Sequence, residues 1–134
     1  MKTPREIFQQ MFGKDAFSQW LGIECTEIGE GSCTLSMKIR DEMCNGFSIA
    51  HGGISYSLAD SALAFASNSL GKHALSIQTS ISHLKPLHSG DVLIAKAREI
   101  SVTKNIGRYD VEIFRNDELV AIFNGMVYRK AQEW

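Results

Sequence analysis

The residues of this chain best placed to do chemistry lie in the run Asn45-Gly46-Phe47-Ser48-Ile49-Ala50-His51-Gly52-Gly53-Ile54-Ser55-Tyr56-Ser57-Leu58-Ala59-Asp60. His51-Gly52-Gly53 enters a long helical stretch, and the first-turn amides of a helix are unpaired donors at its positive end. Glycine there lets a ligand oxygen approach the backbone closely. Asp60 follows Gly53 by seven residues. Two helical turns return it to nearly the same face, roughly 10 Å along the axis. Helical side chains lean toward the N-terminus, so the carboxylate reaches back toward the donors. Amides at one end and a carboxylate further along one face form an acyl-transfer arrangement, in which the amides stabilise an oxyanion while the carboxylate attacks or activates water. Leu58, Ala59, Ala62, Leu63 and Ala64 surround Asp60 with apolar neighbours. That setting argues against an ordinary solvated carboxylate.

Each element also has a plainer reading. Gly52-Gly53 could be a flexible joint, Asn45-Gly46 an ordinary turn, and His51 either the end of a loop or a polar member of a site. Other chemistries fit less well. Ser55, His51 and Asp60 suggest a serine triad, but Gly53-Ile54-Ser55-Tyr56-Ser57 lacks the closing glycine of a nucleophile elbow and follows a loop rather than a strand. The histidines at 51, 73, 83 and 88 form no ligand pair, and the cysteines add no ligand spacing, so no metal is expected. A phosphate loop would need a lysine close behind its glycines, and none follows Gly53 until Lys72.

The elements that must position these residues read as α+β. Helical spacing covers residues 4–13, with Ile7, Phe8, Met11 and Phe12 on one stripe, and a short helix covers 15–20. Together they make an N-terminal helical segment over residues 1–20. Strands are expected at 22–28 and 32–40, the second with strict alternation of Cys33, Leu35, Met37 and Ile39. Residues 41–50 read as a loop. The central helix spans residues 52–70 and is slim on nearly all sides, which suggests a sheet wrapped around it, and Gly71 is expected to stop it. Strands follow at 74–84, 91–102, 108–114 and 119–128, with breaks mostly short enough for antiparallel hairpins. Two strands, one long helix and four strands lack the alternation a doubly wound fold needs. The expected architecture is a curved antiparallel sheet around one helix.

Composition limits the functional classes. A chain of 134 residues, 44% hydrophobic and 22% charged, is a single globular domain over residues 1–134. Fourteen basic against fifteen acidic side chains leave a net charge of -1, which argues against a nucleic-acid partner. No apolar run approaches membrane-spanning length, and charged residues interrupt the first twenty, so neither a membrane span nor a signal peptide is expected. Three cysteines, Cys25, Cys33 and Cys44, have no C-x-x-C spacing and fit free thiols in a reducing compartment. These features predict a cytoplasmic protein.

The run from Asn45 to Ser69, followed by Ser76-Ile77-Gln78-Thr79-Ser80-Ile81-Ser82-His83-Leu84-Lys85-Pro86 and Gly90-Asp91, closely resembles hotdog-fold acyl-CoA thioesterases, specifically the phenylacetic acid degradation (PaaI) branch. The resemblance covers nearly the whole chain, from Phe17, Leu21, Gly22 and Ile23 to Val120, Ala121, Phe123 and Gly125. It implies a helix wrapped by a curved sheet, an acyl-CoA substrate, no separate cofactor, and a homodimer or dimer of dimers with shared sites. It implies that Asp60 is the catalytic carboxylate, as nucleophile or general base. Gly53 or Gly52 would be the amide that polarises the thioester, and Asn45 and His51 polar residues that position thioester and water. Ser76 matches a residue contributed by the partner subunit. His83 departs from the family, standing where many relatives have an aromatic residue.

The expectation is therefore a hydrolase of small acyl-CoA thioesters, with aryl-acetyl groups (phenylacetyl or hydroxyphenylacetyl) as the acyl class. Phe47 and Tyr56 are expected at the substrate, with Phe17, Trp20 and Met43 as further acyl-pocket candidates. Lys72, Lys85, Lys104 and Arg108 are candidates for the nucleotide by charge alone. The alternatives are a hotdog hydratase or dehydratase, which would need a histidine paired with an acid on a carbon-carbon double bond, and a non-catalytic acyl-CoA-binding protein, which would have no use for Asp60.

Overall fold

The computed structural model describes residues 1–134. Helix α1 (Pro4–Phe12) starts at a capping box: the Thr3 hydroxyl accepts from the Glu6 amide, the Glu6 carboxylate accepts from the Thr3 amide, and Pro4 occupies a first-turn position that needs no donor. Asp15 caps α2 (Ala16–Leu21), accepting from the Ser18 amide at 3.0 Å. Strands β1 (Glu24–Gly29) and β2 (Ser32–Lys38) form a hairpin, and α3 (Gly52–Asn68) follows. The remaining strands are β3 (Lys72–His83), β4 (Val92–Val102), β5 (Ile106–Arg115) and β6 (Glu118–Glu133). All neighbours are antiparallel, in the order β1-β2-β4-β5-β6-β3, so β1 and β3 are the free edges. This is the α+β arrangement expected from the order of elements.

The sheet curls around α3, which packs against β2, β3, β4, β5 and β6. Leu58, Ala59, Ala62, Leu63, Phe65 and Ala66 are buried in that wrap. The alternation in β2 points Cys33, Leu35 and Met37 inward to meet them. Helices α1 and α2 cover part of the remaining side of α3, where Phe8 packs edge-on to Phe65 with ring centroids 4.8 Å apart. What stays uncovered is one stripe, Gly53, Tyr56, Ser57, Asp60, Ser61 and Ala64, at three- and four-residue spacing. No helix is long and apolar enough to cross a membrane. All three cysteines are free.

Some boundaries differ from the expected ones. The helix ends at Asn68 rather than residue 70, because the Asn68 side chain takes over the backbone of the next strand: its Oδ1 accepts from the Ala74 amide at 2.9 Å and its Nδ2 donates to the Ala74 carbonyl at 3.0 Å. Gly71, with φ of 102°, makes the turn after the helix rather than its cap. Strand β6 runs five residues past Tyr128, to Glu133, held by pairing with β3 that extends to Lys72. The polar residues there give no alternation to read. The expected loop at 41–50 contains a short 3-10 turn (Asp41–Met43) and a bridge between Cys44 and Ala50.

The wrap is tight where β6 crosses the helix. A Cβ on Gly125 would stand 2.6 Å from Leu63 Cδ2 and 3.4 Å from Phe123 Cε1. Gly125→Ala should lower the unfolding free energy by about 1–3 kcal/mol, as overpacked cores do. That cost outruns the ~0.4–1 kcal/mol gained from a less flexible unfolded chain. Urea denaturation with an unchanged slope checks this, and a variant as stable as the parent would show that the helix and sheet are loosely packed there.

Candidate active site

Asp60 lies at the middle of α3, on the uncovered stripe, and opens into a cavity of about 350 Å³. Ser76, on the edge strand β3, lines the same cavity, with Leu63, Ala64 and Val127 as apolar wall. Burial pushes the Asp60 carboxyl above the usual aspartate range, and the negative charge of Asp15 pushes it further the same way. Asp15 belongs to a small network at the foot of α2. Its Oδ2 accepts from the Ser18 hydroxyl at 2.6 Å, and the Ser18 and Ser61 hydroxyls are hydrogen-bonded at 2.8 Å. The helix that covers this flank of α3 thus brings a second carboxylate near the first.

The helix start is built differently. Gly52 and Gly53 have no left-handed φ, which removes the reading of the pair as a joint that needs positive φ. Their use is close approach. A Cβ on Gly52 would come 3.1 Å from His83 Nε2, and one on Gly53 3.1 Å from His51 Nδ1. His51 caps the helix, and its Nδ1 accepts from the Gly53 amide at 2.9 Å. The Gly53 donor is therefore already used, whereas the Gly52 N–H makes no hydrogen bond. His83 takes its place beside Gly52, with Nδ1 3.3 Å from the Ser55 hydroxyl. Asn45 Oδ1 accepts from the Phe47 and Ile49 amides at 2.9 and 3.3 Å, which folds the loop back toward the helix. Phe47 is 84% exposed.

Within one chain these residues form two groups. Asp60 and Ser76 share the cavity, while His51 and Gly53 line a second depression with Phe17, Trp20, Met43 and Ser57. No residue lines both. Ser76 lines the same cavity as the Asp60 of its own chain. Tyr56 sits between the groups on the stripe, its hydroxyl bonded to Thr79 and its ring edge-on to Phe123. Of the cationic candidates for the nucleotide, only Lys72 lies on the edge strand β3, and none lines the cavity. Sequence reasoning missed Asp15, Ser18 and Ser61, and also His73 and Trp134, which line the cavity. The helix-cap spacing Asp15-x-x-Ser18 was a usable signal for the first pair. Nothing in the spacing links residue 134 to residue 60.

Comparison with known proteins agrees with this fold. The family model described as thioesterase superfamily matches residues 47–122, more than half of the chain. The acyl-coenzyme A thioesterase PaaI of Escherichia coli strain K12 is 38% identical over 120 residues, 89% of this chain and 86% of that protein. The solved structure of the E. coli PaaI protein from the phenylacetic acid degradation operon superposes with a TM-score of 0.95 at 34% identity, covering 97% of this chain and 95% of that one. A single-substitution variant of the phenylacetic acid degradation protein PaaI from Thermus thermophilus gives a TM-score of 0.84 at 33% identity, over 87% of this chain and 100% of that one. A helix wrapped by six antiparallel strands, with a half-buried aspartate on its open stripe, belongs to a known family of enzymes: the chain is a member of the thioesterase superfamily, a hotdog-fold acyl-CoA thioesterase of the PaaI type.

Proposed function

We propose that this thioesterase hydrolyses small aryl-acetyl-CoA thioesters of the phenylacetyl or hydroxyphenylacetyl kind, in sites shared between two subunits, with Asp60 as the catalytic carboxylate. The observation that carries the role of Asp60 is its position, a carboxylate held half out of water on the one uncovered stripe of α3 and opening into a largely apolar cavity. Acting as general base, it takes a proton from water while the water oxygen bonds to the thioester carbon. The carbonyl oxygen becomes an oxyanion that accepts from the Gly52 N–H, and the carbon–sulfur bond then breaks as the Asp60 carboxyl gives its proton to the departing sulfur, leaving the acid and the CoA thiol. The Ser76 hydroxyl, in the same cavity, orients the water. Acting as nucleophile instead, Asp60 would form an anhydride that water then opens. The acyl class follows the names of the relatives and the size of the cavity.

The pairing of subunits is inferred from what one chain leaves open. Strand β3 is a twelve-residue free edge with Leu75 62% and Ile77 56% exposed. A long apolar edge of this kind is normally covered, and pairing across a two-fold axis covers it. In the same dimer the small-residue stripes of the two α3 helices face each other. With Tyr56 and Ser57 at the axis, the helix start of one chain stands beside Asp60 of the other. Each site then takes Asp60 and Ser76 from one subunit and Asn45, His51 and Gly52 from its partner.

A thiol-release assay across a panel of acyl-CoAs tests the activity and separates hydrolase from hydratase and from passive binder. Asp60→Asn should leave the fold and acyl-CoA binding near normal while turnover falls at least ~100-fold, the scale of losing a general base. Turnover within a few-fold of the parent would remove Asp60 from the mechanism.

The acid limb of the pH profile carries a second expectation. Because Asp60 must be ionised and is held above the ordinary aspartate value of about 3.9, kcat/KM should fall on acidification at a pH above that value. Asp15→Asn should move the limb to lower pH. The stability effect has the opposite sign to that of an ion-paired carboxylate: a raised pKa means that stability is fully present below the unfolded value and is lost as pH rises through the folded one. Asp60→Asn should therefore melt higher than the parent at pH 7, with the difference vanishing near pH 3 to 4, within roughly a unit of the unfolded value. A limb that stays put in Asp15→Asn would contradict the pairing of the two charges.

Subunit mixing tests the shared site. Asp60→Asn mixed with Gly52→Ala should recover up to about a quarter of parental activity, since half of randomly mixed dimers are hybrids and each has one unmutated site. Asp60→Asn mixed with Ser76→Ala should recover none. Recovery in the second mixture, or in neither after confirmed exchange, would contradict the proposed division of residues.

A further inference from the structure

Part of the wall of the cavity beside Asp60 is left unused by the catalytic roles. There the indole of Trp134 stacks on the His73 imidazole, with centroids 4.0 Å apart and planes 25° from parallel. The indole is held in place, because its Nε1 donates to Asn68 Oδ1 at 2.9 Å. Asn68 is itself buried, and its amide spans the Ala64 carbonyl and both backbone groups of Ala74. Its donors and acceptor are all engaged, so the floor offers a ligand no polar group from this residue. Leu63, Ala64 and Val127 make the sides. The depression at the helix start is more open to solvent, and Glu42 is among its lining residues.

We infer that the Asp60 cavity is the acyl pocket and that Trp134 is its specificity-determining wall. The inference rests on the thioesterase reading above and adds where the acyl group lies and what limits it. A cavity of about 350 Å³ comfortably exceeds the ~150 Å³ that suffices for benzene, so a phenylacetyl group fits between Asp60 and the indole. The rigid, stacked wall offers an aromatic acyl group an edge or face contact. Trp134 lines both this cavity and a neighbouring depression with Leu70, Gly71 and Lys72, so the ring stands where a long linear chain would have to continue. Trp134 acts through shape and touches none of the reacting atoms.

Two substitutions push the profile in opposite directions. Trp134→Ala removes the ring between the two depressions and should raise the ratio of kcat/KM for decanoyl-CoA to that for phenylacetyl-CoA by about tenfold or more, the scale on which apolar pockets discriminate. Ala64→Leu fills the pocket from the helix and should lower the ratio of kcat/KM for phenylacetyl-CoA to that for acetyl-CoA by about tenfold or more, read on protein whose subunit assembly matches the parent. Trp134→Phe, which keeps the ring and loses the bond to Asn68, should retain the parental order of substrates, and an order that followed the loss of that bond rather than of the ring would overturn the wall assignment. All are measured by thiol release on the full chain, with circular dichroism to verify the fold. Should Trp134→Ala fail to fold, Ala64→Leu decides alone. An unchanged profile in every folded variant overturns the assignment and leaves the thioesterase reading standing. A parent protein inert toward every thioester overturns both.

Discussion

The structure depends on how much of one helix a six-stranded sheet can cover. The sheet encloses α3 so closely that most of its circumference must be apolar or small, and only one stripe stays outside the wrap. That stripe is where a carboxylate can sit without being sealed in. Asp60 occupies it half-buried, where loss of water and the nearby Asp15 both disfavour its charge. A carboxylate fully solvated would be a weak base, and one fully enclosed would stay protonated and have no substrate. The geometry of the wrap thus sets both the placement and the basicity of the group.

The same constraint accounts for the two-part site. Helix α3 is surrounded by its own sheet, so its start and its middle open onto different depressions of the single chain. His51 consumes the Gly53 donor in capping the helix, which leaves Gly52 as the free amide, the donor proposed above for the oxyanion. The open edge of β3 carries Ser76 into the aspartate cavity and presents Leu75 and Ile77 to the outside. The buried Asn68 side chain is fully hydrogen-bonded: it joins the end of α3 to the start of β3 and anchors the indole of Trp134. One side chain thereby ends the helix and shapes the cavity.

Much of this was legible in the residues. Alternation in β2 and the slim, alanine-rich helix were enough for an antiparallel sheet curled around α3, because period two and uniform smallness are local signals. The spacing of Gly53 and Asp60 put both residues on one helical stripe, which the structure retains, but the Gly53 amide is taken by His51 and the free amide is that of Gly52. Three things were not legible, and for related reasons. Which glycine amide is free depends on the ring orientation of His51, not on spacing. The company of Ser76 depends on which strand flanks the middle of α3, a matter of sheet order. Trp134 meets Asp60's cavity only because β6 pairs with β3 along its whole length, through polar residues that carry no pattern. Long-range register decides all such contacts, and sequence periodicity reports only on neighbours.

The most direct test of the account is a structure of the Asp60→Asn variant bound to phenylacetyl-CoA. The account predicts the thioester carbon about 3–3.5 Å from the residue 60 side chain or from a water held by it. The carbonyl oxygen should lie about 2.7–3.1 Å from a Gly52 N–H, and the phenyl ring in the cavity against Trp134. A thioester bound away from residue 60, or a carbonyl oxygen that no helix-start amide reaches, would contradict the central claim that the uncovered stripe of α3 is where the acyl group is transferred to water.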